Sequence, residues 1–195
     1  LRWSVGKRAM RRMPDRPASS PAQLSATPKP SGVTRPTPVT ATSGRVTKAV
    51  FMCTAANFGG PDTWAPRAEE TRAEGIAPRV QSAIELWVTP EFRQARPALT
   101  YALTRMIDST RGEGYAVGAD ALAGWDYTEE LRNITVPVLT ISGAVDPSTP
   151  PEVVHAIAEL VGGESQSVTL SGGGHVPTVE VPDEVTRAIR TFITE

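Results

Sequence analysis

Apolar residues along this chain follow two rhythms. Short compact runs stand at Val46–Thr54, Val136–Ser142 and Gln166–Leu170. The first ends in a continuous apolar stretch closed by turn residues and suits a strand buried on both faces of a parallel sheet; the other two read as a second and a third short strand. Pro137 near the start of the second run predicts that pairing begins only after it. From about 62 to 133 the spacing is helical throughout, with no strand-like run. Residues 62–74 read as a helix ended by Gly75, and Val80, Ile84 and Trp87 line one face of the next. Further helices fit Pro90–Arg96, Pro97–Ser109 and Gly112–Ala123. Thr149-Pro-Pro-Glu152 reads as a capping box opening a helix whose inner face is Val153, Val154, Ile157, Leu160 and Val161, and Pro182–Ile193 forms a last helix. Strand, helical insertion, strand, helix, strand, helix is an α/β layout with a parallel sheet.

Residues 1–44 break both rhythms. They hold seven of the 18 prolines, eight of the 20 basic residues and one of the 21 acidic ones, so a basic segment is joined to an acidic domain, 45–195. A stretch so poor in periodic apolar residues cannot offset its ordering entropy. It is expected to be a disordered linker or tail; an Arg- and Ser-rich transit peptide is opposed by the prolines. Clustered arginine attracts phosphate, but no binding motif or aromatic interleaving accompanies it, and no nucleic-acid partner is expected. The single cysteine, Cys53, lies in the first apolar run and reads as a buried structural thiol suited to a reducing compartment. No run approaches a membrane span and no secretory h-region follows the basic N-terminal residues. A soluble cytoplasmic protein without a membrane partner is expected.

The candidate chemistry lies near the C-terminus. Asp146 follows the second strand in Gly143-Ala-Val-Asp-Pro-Ser-Thr-Pro-Pro151, and His175 follows the third in Ser171-Gly-Gly-Gly-His175. Sites in open α/β sheets gather beyond the carboxyl ends of parallel strands, so both residues should reach one crevice. An imidazole there can carry a proton to and from a hydroxyl nucleophile, and a carboxylate on its other nitrogen fixes the tautomer. The glycines at 172–174 are expected to let the backbone turn tightly toward the crevice. His155, within the helix at 150–161, reads as a helix-surface residue.

These residues carry a resemblance. With Arg45–Ala56, Leu86-Trp-Val-Thr-Pro-Glu-Phe92, Glu113-Gly-Tyr-Ala116, Val136–Leu139 and Gly174-His175, the chain from about Arg45 onward resembles the C-terminal half of an α/β-hydrolase, specifically the 3-oxoadipate enol-lactone hydrolases. The resemblance implies a partial α/β-hydrolase fold: C-terminal parallel strands with flanking helices, plus a helical cap at about 62–133. It implies Asp146 as the triad acid, His175 as the base, and Trp64 and Trp87 as cap residues that could line a substrate pocket. It also implies a small-molecule lactone or ester substrate from aromatic catabolism, with no metal or organic cofactor. Arg67, Arg72, Arg79 and Arg93 are candidates to meet a substrate carboxylate.

One element of that pattern is missing. The family's serine sits on a Gly-x-Ser-x-Gly turn, and no such motif occurs in the 195 residues, so no nucleophile is identifiable. The expectation is therefore a hydrolase domain inactive as this chain, with residues 1–44 a foreign or out-of-frame segment. The alternative is a non-catalytic fragment or pseudo-hydrolase, or a subunit completed by a second copy or another chain.

Overall fold

The computed structural model describes residues 44–195. The expectations for residues 1–44 fall, but for Gly44, outside the described residues. Three strands, β1 (Ala49–Met52), β2 (Val138–Gly143) and β3 (Ser165–Leu170), form a parallel sheet in the order β1-β2-β3. Ala49 lies opposite Val138, and Gly143 opposite Leu170. β2 is central and every one of its residues is buried, as a strand paired on both sides and covered on both faces must be. Pairing does begin after Pro137, whose carbonyl accepts the amide of Ala49.

Alternate residues of a strand face opposite ways, and β2 uses the two faces differently. Leu139 and Ile141 pack with Leu170 against Val185 and Phe192 of α8 (Pro182–Thr194). Val138 packs on the other face against Ile157 of α6 (Pro151–Leu160), which bridges β2 to β3. Each of these large side chains contributes about 1.5–3 kcal/mol by leaving water. The α6 face also carries hydroxyls: Thr140 Oγ1 lies 2.8 Å from Ser167 Oγ, and Ser142 Oγ lies 3.1 Å from Thr169 Oγ1. His155 of α6 closes this ladder with Nε2 at 3.2 Å from both Ser142 and Thr169 oxygens. It is thus half-buried over the sheet rather than on the helix surface, because the hydroxyls below it supply polar partners.

Between β1 and β2 the chain is helical: α1 (Gly60–Glu74), α2 (Val80–Trp87), α3 (Pro90–Ala95), α4 (Pro97–Asp108) and α5 (Gly112–Ala123), with 3-10 turns at Ala77–Arg79 and Glu130–Asn133. Ala68, Ala116 and Ala119 let α1 and α5 approach closely, and Ile76, Ile84, Val88 and Ile107 form a second cluster around α2 and α4. The expected helices are all found, within a few residues at their ends. Three local readings change. The first strand is shorter than its apolar run, ending at Met52. A short helix, α7 (Pro177–Glu180), follows the histidine turn. The capping box is not formed: Pro150 is the N-cap of α6 and Thr149 is committed elsewhere. Among the described residues, no helix is long and apolar enough to cross a membrane.

Candidate active site

The loops after β2 and β3 are bound to each other before any side chain is considered. Ala144 N donates to Leu170 O at 3.0 Å and Val145 N to Gly173 O at 3.3 Å. Gly143, the last residue of β2, leaves room for this: a Cβ there would lie closer than 3.0 Å to the carbonyl oxygens of Gly173 and Gly174. None of Gly172, Gly173 and Gly174 has a positive φ. Their role is space rather than backbone freedom, since a Cβ at 174 would crowd Glu180 and one at 173 would crowd Pro177.

This backbone scaffold brings the two predicted side chains together. His175 Nδ1 and Asp146 Oδ2 are 2.9 Å apart. Asp146 is 3% exposed, and its carboxylate accepts three further bonds: Ser148 N at 2.8 Å and Thr149 N at 3.1 Å to Oδ1, and Thr149 Oγ1 at 2.7 Å to Oδ2. Burial alone would push this carboxyl upward. The bonds from His175 and from the side chain and backbone of Thr149 outweigh it, and the group is held below its ordinary range. An ionised carboxylate can only accept, so Nδ1 must carry a proton and Nε2 is left as the basic nitrogen. The arrangement holds a neutral imidazole in one tautomer and stabilises it once protonated.

Thr149 and Cys53 join the site without having been expected there. Thr149 Oγ1 also lies 3.4 Å from His175 Nδ1. Its signal was present in the Asp-Pro-Ser-Thr spacing, since a Thr three residues after an Asp can close a turn onto that carboxylate. Cys53 is not inside the strand: it stands one residue past β1 with φ of 46°, an uncommon conformation for a residue with a Cβ. Its thiol points to Gly174 O at 3.9 Å. Burial, reinforced by the charges of Asp146 and Glu180 and partly opposed by the Gly143 backbone, pushes it up to about 12.

Cys53, Asp146 and His175 offer ligand atoms within 4.8 Å of one another. A metal would need the thiolate, whereas here the thiol is protonated and Asp146 is filled by hydrogen bonds. The trio therefore reads as a hydrogen-bonded cluster. In the native fold, Cys53 should react with iodoacetamide at pH 8 at least about tenfold more slowly than in denaturant; equal rates would show that the thiol is neither buried nor raised.

The two tryptophans take different positions. Trp64 packs against the α1–α5 alanine cluster, donates Nε1 to Phe58 O at 2.7 Å, and carries the Arg67 guanidinium over its ring at 4.7 Å. Trp87 packs its ring into the α2–α4 cluster, and its carbonyl accepts Val176 N at 3.0 Å beside His175. A cleft of about 480 Å³ lined by Thr89, Phe92, Arg96, Leu99 and Glu180 includes neither tryptophan nor His175. The cap arginines are engaged within the protein: Arg72 with Glu113 and Asp120, Arg79 with Glu70 and Thr71, and Arg93 with the Val88 carbonyl.

Parallel strands with an acid and a histidine at successive carboxyl ends, under a helical cap, place the chain in the α/β-hydrolase superfamily, and comparison with known proteins agrees. The family model described as TAP-like protein matches residues 122–195. Within the superfamily the chain resembles the enol-lactonases. It is 31% identical over 149 residues to 3-oxoadipate enol-lactonase 2 of Acinetobacter baylyi, covering 76% of this chain and 55% of the relative. The crystal structure of the enol-lactonase from Burkholderia xenovorans LB400 superposes with a TM-score of 0.75 at 28% identity, over 80% of this chain and 59% of that one. A thermophilic esterase from Thermogutta terrifontis gives 0.71 at 29% identity, over 77% and 56%. The chain thus spans about half the length of the enol-lactonases it matches.

Proposed function

We propose that Asp146 and His175 are the acid and base of a serine-type hydrolase acting on a small lactone or ester, and that the substrate is an enol-lactone of the 3-oxoadipate kind. The observation that carries this reading is the 2.9 Å bond from His175 Nδ1 to a buried, ionised Asp146, which leaves Nε2 as the base. Resemblance to enol-lactonases supplies the substrate class.

In this reading Nε2 takes the proton of a serine hydroxyl as its oxygen attacks the lactone carbonyl. The imidazolium, stabilised by Asp146, returns that proton to the departing enolate oxygen as the ring opens to an acyl-enzyme. Water then attacks, losing a proton to Nε2, and the free acid leaves as the serine recovers its hydrogen. The serine comes from a strand beside β1, whose one described neighbour is β2. It is supplied by another chain or by a further part of the protein, so the 195 residues alone are inactive.

The purified chain should neither hydrolyse the lactone nor be labelled by a serine-reactive phosphonate. Adding the separately produced N-terminal half of an enol-lactonase, with its Gly-x-Ser-x-Gly turn, should yield both turnover and labelling. Turnover should then be lost with His175→Ala. Turnover by the chain alone would refute the incomplete site, and turnover surviving His175→Ala would refute the base. Association without turnover would favour the non-catalytic alternative.

A further inference from the structure

One carboxylate links the histidine turn to the cap. Glu180, the last residue of α7, accepts Gly174 N on Oε2 at 2.6 Å. Its other oxygen, Oε1, accepts both Thr89 N and Thr89 Oγ1 at 2.8 Å. Thr89 is the N-cap of α3, where its hydroxyl oxygen also accepts Phe92 N at 3.2 Å. Immediately beyond His175, Val176 N donates to the Trp87 carbonyl. The amides on both sides of His175 are therefore fixed at the α2–α3 junction, one through Glu180 and one directly.

We propose that Glu180 is a positioning residue for His175, coupling the cap turn at Thr89 to the tautomer and orientation of the imidazole. This inference rests on the reading of His175 as the working base. Three charge-assisted bonds on one partly buried carboxylate are roughly twice as strong as neutral ones. They join segments about 90 residues apart in sequence. Any displacement of the α2–α3 turn, as when a substrate enters beneath the cap, must either carry the histidine turn along or break those bonds. The cap thereby acts on the proton carrier through the backbone on either side of it.

The test requires no turnover, so its failure is distinct from failure of the hydrolase reading. In the 195-residue chain, amide exchange at Gly174 and the ring ¹⁵N shifts of His175 are recorded for wild type, Glu180→Gln, Thr89→Val and Thr89→Ser. Thr89→Val keeps the charge and nearly the shape of the junction while removing one donor to Glu180, together with the cap on Phe92 N. It should speed Gly174 exchange at least about threefold and broaden or shift the His175 ring signals. Thr89→Ser, which keeps both the donor and the cap, should behave as wild type. Glu180→Gln, which can accept at only one of its two ends, should speed exchange about tenfold or more at either Gly174 or Thr89. Thermal unfolding confirms that each variant is folded; Glu180→Asp serves if the glutamine variant is not, with the same expectation. If His175 and Gly174 are unchanged in Thr89→Val, Glu180 merely braces its own turn and the coupling is refuted.

Discussion

Asparagine at position 146 is expected to lower kcat of the completed hydrolase by about 10⁴-fold while leaving KM within a few-fold of wild type. Asp146 sits in a cage of Ser148 N, Thr149 N and Thr149 Oγ1, which would orient an asparagine almost as well as the carboxylate. Position is therefore preserved and charge is removed. An amide that turns its NH₂ toward Nδ1 selects the tautomer with the proton on Nε2, leaving no base where the serine needs one. Steady-state kinetics on the complemented enzyme measure this, and a loss below about tenfold would mean that Asp146 does not set the tautomer.

The same variant separates the acid stability of the fold. Asp146 titrates below its ordinary range in the folded state, so its contribution is fully present above the unfolded value near pH 4 and is lost as pH falls through the folded value. Urea denaturation of the two proteins from pH 6 to pH 2 should show wild type losing stability below about pH 4 and the asparagine variant losing less. Parallel curves would show that the carboxylate gains nothing from its four bonds.

Alanine at position 143 should be the most damaging single methyl group in the described structure. The added carbon would overlap two carbonyl oxygens of the histidine turn, and backbone cannot rotate away as the end of a flexible side chain can. Either β2 or the turn must move, which loosens the bonds from Ala144 and Val145 and separates Asp146 from His175. A loss of about 3 kcal/mol or more in chemical denaturation is expected, at the upper end of overpacking effects. The His175 Nδ1 proton should also exchange faster with water. A variant within about 1 kcal/mol of wild type, with that proton unchanged, would show that the two loops are not locked at this point.

The parts of this molecule that were legible in its sequence are those with a local signature. Short β-rich runs closed by turn residues marked the strands, 3.6-residue spacing marked the cap, and an acid and a histidine following successive strands marked the crevice. The misread parts depend on distant segments. Thr149 looked like a helix cap because Thr-Pro-Pro-Glu satisfies that pattern, yet the carboxylate three residues earlier competes for the same hydroxyl and wins with charge. Cys53 looked like the end of a strand because the apolar run includes it, whereas the register ends at Met52 and Cys53 takes a positive φ that turns its thiol toward Gly174 O. His155 looked solvent-facing because its hydroxyl partners lie on two strands that only the fold brings under α6. Glu180 carried no local sign, since its partners are a backbone amide six residues earlier and a threonine in the cap.

The hydroxyls buried beneath α6 bear on alignment fidelity. A slip of β2 by one residue would send Ser142 and Thr140 toward Val185 and Phe192, and would set Leu139 and Ile141 beneath His155. Such a misthreaded sheet would strand polar atoms in grease and starve an imidazole of company. The ladder thus works as a key that admits one threading, and since the acid rides a short tether beyond Ser142, the same key sets how far that acid extends.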